Sequence, residues 1–287
     1  MRGAKLRFII TMLVFGSIGL FVKYIPFTSA QIACTRGLIG SLFLLLIGGG
    51  IKREFSYQRI RKNLGYLLLS GIAIGINWIL LFESYRYTSV SNATICYYFA
   101  PVFVVFLSPY VLKEQLKKEH VISIVFAMLG LVCIMGNGIS QSGQNDLLGI
   151  ALGIGAAAFY AIVILSNKFL HGLGGMESSC VQLFVAAIAI LPYVWASWEK
   201  TSVEVTGKTL LLLGIVGVVH TGIAYYLYFT SMQRLKAQTI ATYSYIDPIA
   251  AIILSAGLLG ERLTLPQAVG AVLVLGATFY NEYTSAR

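Results

Sequence analysis

The stretch Asn92-Ala-Thr-Ile-Cys-Tyr-Tyr-Phe-Ala-Pro101, closed by Leu112-Lys-Glu114-Gln-Leu116, returns later as Thr239-Ile-Ala-Thr-Tyr-Ser-Tyr-Ile-Asp-Pro248, closed by Leu259-Gly-Glu261-Arg-Leu263. Laying residue n over residue n+147 superposes Leu80 on Leu227, Phe82 on Phe229, Ser84 on Ser231, Tyr98 on Tyr245, Pro101 on Pro248, Ser108 on Ser255 and Glu114 on Glu261. Both copies lie inside long apolar runs. Self-similarity at a fixed offset marks one structural unit written twice, and in a membrane chain that pattern belongs to proteins built from internal repeats.

Working outward from the repeat, 57% of the 287 residues are hydrophobic and 11% are charged, and the mean hydropathy is +0.81. A soluble core of this length could not hide that much apolar surface, so the chain is expected in a bilayer. Windows of roughly 20 apolar residues give ten predicted spans, at about 8–25, 30–50, 64–85, 92–112, 120–138, 147–168, 178–198, 209–231, 238–259 and 266–284. The predicted fold class is therefore an all-α membrane protein of ten transmembrane helices. The short connections leave no room for a soluble enzyme domain or a nucleic-acid module, despite a net charge of +10.

The positive charge instead sets orientation, because basic residues in short loops stay on the cytoplasmic side. With the N-terminus inside, that side carries Arg2, Lys5, Arg7, Lys52, Arg53, Arg59, Arg61, Lys62, Lys113, Lys117, Lys118, Lys168, Arg234, Lys236 and Arg287. Outside remain Lys23, Arg86, Lys200, Lys208 and Arg262, while Arg36 falls within the second span. Both termini are thus expected in the cytoplasm of a multi-pass cell-membrane protein. An odd number of spans per unit makes the two units, 1–140 and 141–287, cross in opposite senses as inverted repeats.

Targeting and redox signals add little. The first span follows a basic N-terminus without an A-x-A-like cleavage site and is expected to remain uncleaved. Cys34, Cys96, Cys133 and Cys180 all lie in spans at no metal-like spacing and are expected to pack as small apolar residues. Gly71, Gly75, Gly149, Gly153, Gly214, Gly217, Gly270 and Gly276 are expected at close helix contacts. Pro101 and Pro248 sit near the middle of equivalent spans, where a proline removes a ladder hydrogen bond and bends the helix. Two equivalent kinks locate a central cavity.

These elements resemble the EamA-type members of the drug/metabolite transporter superfamily. The resemblance rests on a fourth helix in each unit with a polar start, a mid-helix proline and a terminal Glu-x-Leu: Asn92, Pro101, Glu114 and Leu116, then Thr239, Pro248, Glu261 and Leu263. It covers essentially the whole chain. It implies ten spans in two five-helix inverted repeats and movement of small metabolites, often amino acids or related amines, through a cavity walled by both repeats.

Ionisable groups inside spans are costly and face a cavity or a partner. Asp247 is expected close to the bilayer midplane, next to Pro248, and its counterpart in the first repeat is Ala100. That asymmetry points to substrate or proton binding, with a buried structural partner as the alternative. His220, near the middle of the eighth span, is a candidate proton-coupled partner for it, or a histidine bonded to a backbone carbonyl. Tyr243 stands four residues before Asp247 and is expected on the same helix face. With Tyr98, Trp78 and Tyr225 it suggests an aromatic wall suited to an ammonium group through cation–π contact. Asn77 is a candidate cavity hydrogen-bonder or interhelical link. Glu83 and Arg36, at comparable depth, are expected to pair structurally or as a gate. Glu114 and Glu261 close their helices and are expected to bond loop amides or a basic neighbour.

The expected function is secondary transport of a small polar metabolite by alternating access, with export as the expected direction and the proton as candidate coupling ion. An uptake carrier for an organic cation or quaternary amine is the alternative, and a channel or membrane sensor the alternative from a different class. No G-x-x-x-x-G-K-[ST], H-E-x-x-H, G-x-S-x-G or paired intramembrane aspartates occur, so neither ATP hydrolysis nor catalysis is expected. The expected partners are the solute and membrane lipid. No cofactor, metal or nucleic acid is expected, and a monomer suffices.

Overall fold

A computed structural model describes residues 2–51, 55–88, 90–135, 146–197, 205–259 and 264–285. Among the described residues the regular structure is entirely helical. Seven runs are long and apolar enough to cross a membrane: Gly3–Val22, Ser29–Ile51, Leu64–Tyr87, Asn92–Leu112, Asp146–Asn167, Gly175–Ala196 and Gly207–Met232. The other three predicted spans fall on α8 (Lys118–Met135), on α13 (Ala237–Ser244) with α14 (Ile246–Leu259), and on α15 (Leu265–Ser285). The polar Lys118-Glu-His120 start of α8 shows why composition alone does not add it to the seven.

Several of the long rods are interrupted. The first consists of α1 (Arg2–Ser17) and α2 (Gly19–Val22), with Ile18 between them. The second is α3 (Ser29–Leu45), continued by a π-helical segment, Leu46–Ile51. Its start is fixed by a reciprocal cap in which Gln31 N donates to Thr28 Oγ1 at 3.3 Å and Thr28 N donates to Gln31 Oε1 at 3.0 Å. After the short α4 (Tyr57–Lys62) come α5 (Leu64–Tyr87), α6 (Val90–Tyr97) and α7 (Ala100–Leu112). In the second half, α9 (Asp146–Asn167), α10 (Gly175–Ala196), α11 (Gly207–Ile215), a π-helical segment Val216–Ile223 and α12 (Ala224–Met232) precede α13.

The two prolines act as their chemistry demands, with one shift of position. Pro101 cannot donate to Tyr97 C=O, nor Pro248 to Ser244 C=O. The chain accordingly breaks at Tyr98–Phe99 and at Tyr245, a turn before each proline, and the prolines lie inside the first turn of the helix that follows. The expected kinks at Pro101 and Pro248 are thus interruptions displaced towards the N-terminus.

The helices pack α5 along α9, α8 along α15, and α10 against α3 and α5, while α1 lies against α12 and α14. Small residues make these approaches possible. A Cβ on Gly75 would come within 2.7 Å of Ala189 Cβ, and one on Gly270 within 2.3 Å of Gly130 O. Gly214 and Gly276 depart from expectation, since a Cβ there meets nothing within 4 Å. The outward helix faces carry exposed Leu42, Leu46, Phe106, Leu210, Leu211 and Phe279, as a surface bathed in hydrocarbon requires. Cys34, Cys96 and Cys180 are buried free thiols and Cys133 is a half-buried one.

Candidate functional site

Where α6–α7 meets α13–α14, the repeat-equivalent tyrosines touch. Tyr245 OH donates to Tyr98 O at 3.1 Å, and their ring centroids are 6.3 Å apart. Because the chain is interrupted at both residues, local backbone carbonyls are released from the helical ladder and become available to side chains. Tyr98 in turn donates its hydroxyl to Asp247 Oδ2 at 3.3 Å. The carboxylate therefore sits at the first turn of α14, immediately past one break and hydrogen-bonded across to the other.

Asp247 faces a cavity of about 540 Å³ whose walls come from α1, α3, α5, α6, α9, α12 and α14. Its lining includes Arg36, Asn77, Trp78, Tyr98, Tyr225 and Asp247. These are six of the residues selected from sequence, from both halves of the chain. Three further tyrosines complete the wall: Tyr97 stacks on Tyr160 with centroids 5.6 Å apart, and Tyr160 OH lies 2.6 Å from Tyr228 OH. A pocket of this size lined by rings with a few placed polar groups is what a small organic solute requires.

The remaining expectations divide. Asn77 lines the cavity, but its amide is committed: Nδ2 donates to Ala156 O at 2.7 Å and ties α5 to α9. Trp78 shares a side-chain hydrogen bond with Tyr225. Tyr243 does not join Asp247. It is buried in the hydrophobic core and absent from the cavity lining, because the break at Tyr245 cancels the four-residue register that a continuous helix would have given. His220 is also elsewhere. It lies on the π-helical segment, where its Nε2 is 3.0 Å from Ser17 Oγ and its ring packs 4.8 Å from that of Phe21. The wider π turn alters the register that places a side chain on a given helix face.

The expected Glu83–Arg36 pair is not formed. Glu83 Oε1 instead accepts from Arg86 Nη1 at 2.9 Å and from the Tyr193 hydroxyl. Arg36 stacks its guanidinium 4.6 Å from the centre of the Trp78 ring. A local partner three residues away on the same helix face competes better for Glu83 than a cation on another helix.

Sequence reasoning missed the contribution of α1. Phe15, Gly16, Ile18 and Gly19 line the cavity, and a Cβ on Gly16 would lie 2.6 Å from Asp247 O. Two glycines and a serine in Phe15-Gly-Ser-Ile-Gly19 were the available signal for an interrupted helix. Also unforeseen is a buried network in which Asn167 Nδ2 donates to Ser70 Oγ and to Gln182 Oε1, both at 2.9 Å. It fastens α5, α9 and α10 together, away from the cavity.

The two ends of the cavity differ. Beyond Phe82 and Tyr85, which line both spaces, a second opening of about 720 Å³ is bordered by Thr28, Arg86, Tyr193 and Ser197. At the other end the linker between α12 and α13 is held on both sides. Glu114 Oε1 accepts from Ala237 N at 3.1 Å, Lys168 Nζ donates to Met232 O at 2.9 Å and also to Leu235 O, and Gln238 Nε2 donates to Ser108 Oγ at 3.2 Å. Lys113, in the left-handed conformation with φ 56°, ends α7 and turns the chain so that Glu114 faces that linker. Glu261 and Leu263, expected to repeat the arrangement, lie outside the described residues.

The model of the EamA-like transporter family matches residues 4–136 and 147–281. The chain belongs to this family. It is 31% identical over 276 residues to the uncharacterized transporter YxxF of Bacillus subtilis, covering 94% of this chain and 86% of that one. Protein RarD of Escherichia coli is 23% identical over 254 residues, covering 87% and 83%. An uncharacterized transporter of Archaeoglobus fulgidus is 23% identical over 280 residues, covering 96% and 94%. A solved crystal structure shares the fold over 99% of both chains, with a TM-score of 0.86 at 16% identity. This EamA-family chain is thus a multi-pass membrane protein of the transporter type and not an enzyme.

Proposed function

We propose that this EamA-family protein is a secondary transporter in which ten spans form two inverted five-helix repeats, 1–140 and 141–287, and that Asp247 binds the ammonium group of a small metabolite or a competing proton. The two family-model matches support the repeat division. The observation that carries the site is Asp247 at a helix break, bonded to Tyr98 and facing an aromatic cavity of about 540 Å³. A carboxylate offers charge pairing, and the surrounding rings present negative faces to a cation. An intramembrane acid with a single hydrogen-bond partner in the cavity has lone pairs left for a ligand.

With both termini placed in the cytoplasm, the cavity lies in the outer halves of α1, α3 and α5 and leads outward past Phe82 and Tyr85. The bonded end, at Glu114 and Lys168, is then the cytoplasmic seal. This is the geometry of an outward-facing carrier, and alternating access requires that seal to release while the opposite end closes.

The purified protein should show saturable counterflow of an amine-bearing solute in proteoliposomes, the solute being selected by thermal-shift screening of amino acids, polyamines and quaternary amines. Flux that rises linearly with concentration, with no exchange, would indicate a channel. In the carrier, Asp247→Asn should abolish pH-dependent transport while the protein stays folded in the membrane. Unaltered transport and pH dependence in that variant would overturn the role of Asp247.

A further inference from the structure

Arg36 is the second charged residue lining the cavity, opposite in sign to Asp247. The acidic partner expected for it, Glu83, is engaged by Arg86 and Tyr193. Among the described residues Arg36 makes no ion pair; its neighbour is the Trp78 ring at 4.6 Å, itself pinned by the hydrogen bond to Tyr225. Stacking on a fixed indole holds the guanidinium plane while leaving its in-plane N–H donors free for a ligand. A cation kept in a membrane span and paired with no carboxylate is costly, and the cost is relieved when an anion occupies its donors.

We infer that Arg36 is the anion-recognising residue of this cavity, and that the solute is a zwitterion which sets a carboxylate on Arg36 and its ammonium on Asp247. This rests on the amine reading of Asp247 for one half of the ligand only. The charge balance favours it over a simple cation. One guanidinium and one carboxylate on the walls are neutralised by one ligand monoanion and one ligand monocation, which leaves no unpaired charge in the low-dielectric cavity. An amine or polyamine without an acidic group would meet Asp247 but also the like charge of Arg36. The planar fork of Arg36 fits a carboxylate through two parallel bonds, which a lysine cannot reproduce.

The test is a titration of the purified full-length protein, followed by intrinsic tryptophan fluorescence, with matched probes. Leucine is compared with isoamylamine and isocaproate, and phenylalanine with phenethylamine and hydrocinnamate. The expected result is that the protein binds at least one of the two amino acids about tenfold or more tightly than the corresponding amine, the scale of one charge-assisted bidentate contact. Arg36→Gln should remove most of that preference and abolish binding of the acids, with amine affinity retained or raised. Arg36→Lys should recover only part of it, which separates lost geometry from lost fold. An amine bound as tightly as its amino acid in both series, or the same preference in Arg36→Gln, overturns the inference. Asp247→Asn should weaken the amino acids and amines but spare the acids. If it leaves amine binding unchanged, the role of Asp247 fails while the acid-binding test of Arg36 stands independently.

Discussion

The broken helix pair α6–α7 and its repeat equivalent α13–α14 share a proline, a tyrosine at the break and a position facing the other pair, yet they do different work. In the first, Tyr98 turns its hydroxyl to the cavity carboxylate and gives its own carbonyl to the partner tyrosine. In the second, Tyr245 is fully buried and spends its hydroxyl on that carbonyl. Asp247 is on the cavity, whereas its equivalent Ala100 is completely buried. Duplication thus supplies a symmetric crossing of two interrupted helices, and divergence places one carboxylate on one side of it.

The harshest way to break the comparison is to make the repeats alike. Ala100→Asp would bury a carboxyl group where the packing leaves no partner, and a buried charge without compensation costs about 3–5 kcal/mol. Thermal unfolding in detergent should register this as the largest loss of the set, and the variant should not restore transport to an Asp247→Ala background. Survival with unchanged stability would show that the two positions are equivalent after all.

Next in size is Gly16→Ala. The added Cβ would lie 2.6 Å from Asp247 O and 2.7 Å from Ala250 Cβ, so α1 must move away from α14. Overpacking of this kind costs about 1–3 kcal/mol. Solute affinity should fall together with the melting temperature, because the displaced backbone carries the carboxylate. A stable variant with normal affinity would mean that α1 does not position Asp247.

The smallest and most discriminating effects come from removing the two equivalent hydroxyls. Tyr98→Phe should change solute affinity or its pH dependence by several-fold, a loss of about 1 kcal/mol or more, with little change in unfolding temperature. Tyr245→Phe should do the reverse, lowering stability by about 0.5–1.5 kcal/mol while leaving affinity intact. Equal effects on both readouts would erase the functional distinction between the breaks.

Much of the fold was legible because its signals are local or periodic. Apolar run length gives helices, the offset between Tyr98 and Tyr245 gives the duplication, and a proline cannot close its ladder bond wherever it stands. Six cavity residues could also be chosen from sequence, since polar and aromatic groups inside a span need a dry partner or a cavity. The pairings were not legible. Tyr243 and Asp247 looked adjacent on a helix that proved to be interrupted at Tyr245. His220 looked level with Asp247, but the π-helical segment carries it to Ser17. Glu83 and Arg36 matched in depth, but depth does not fix the angle about a helix axis, and Arg86 and Tyr193 were the nearer partners.

The sequence by itself determined that this chain is a helical membrane protein carrying one segment twice, that each copy is weakened at a proline, and that Asp247 has no carboxylate twin. These follow from composition, hydrophobic length and the covalent chemistry of proline, which need no knowledge of neighbours. Only the tertiary structure decided that Gly16 lets α1 press against Asp247, that Tyr98 reaches the carboxylate while Tyr245 does not, and that Arg36 is left to Trp78 and the cavity. Those outcomes depend on how helices rotate and cross when their surfaces are packed together, a relation among distant residues that no local stretch encodes.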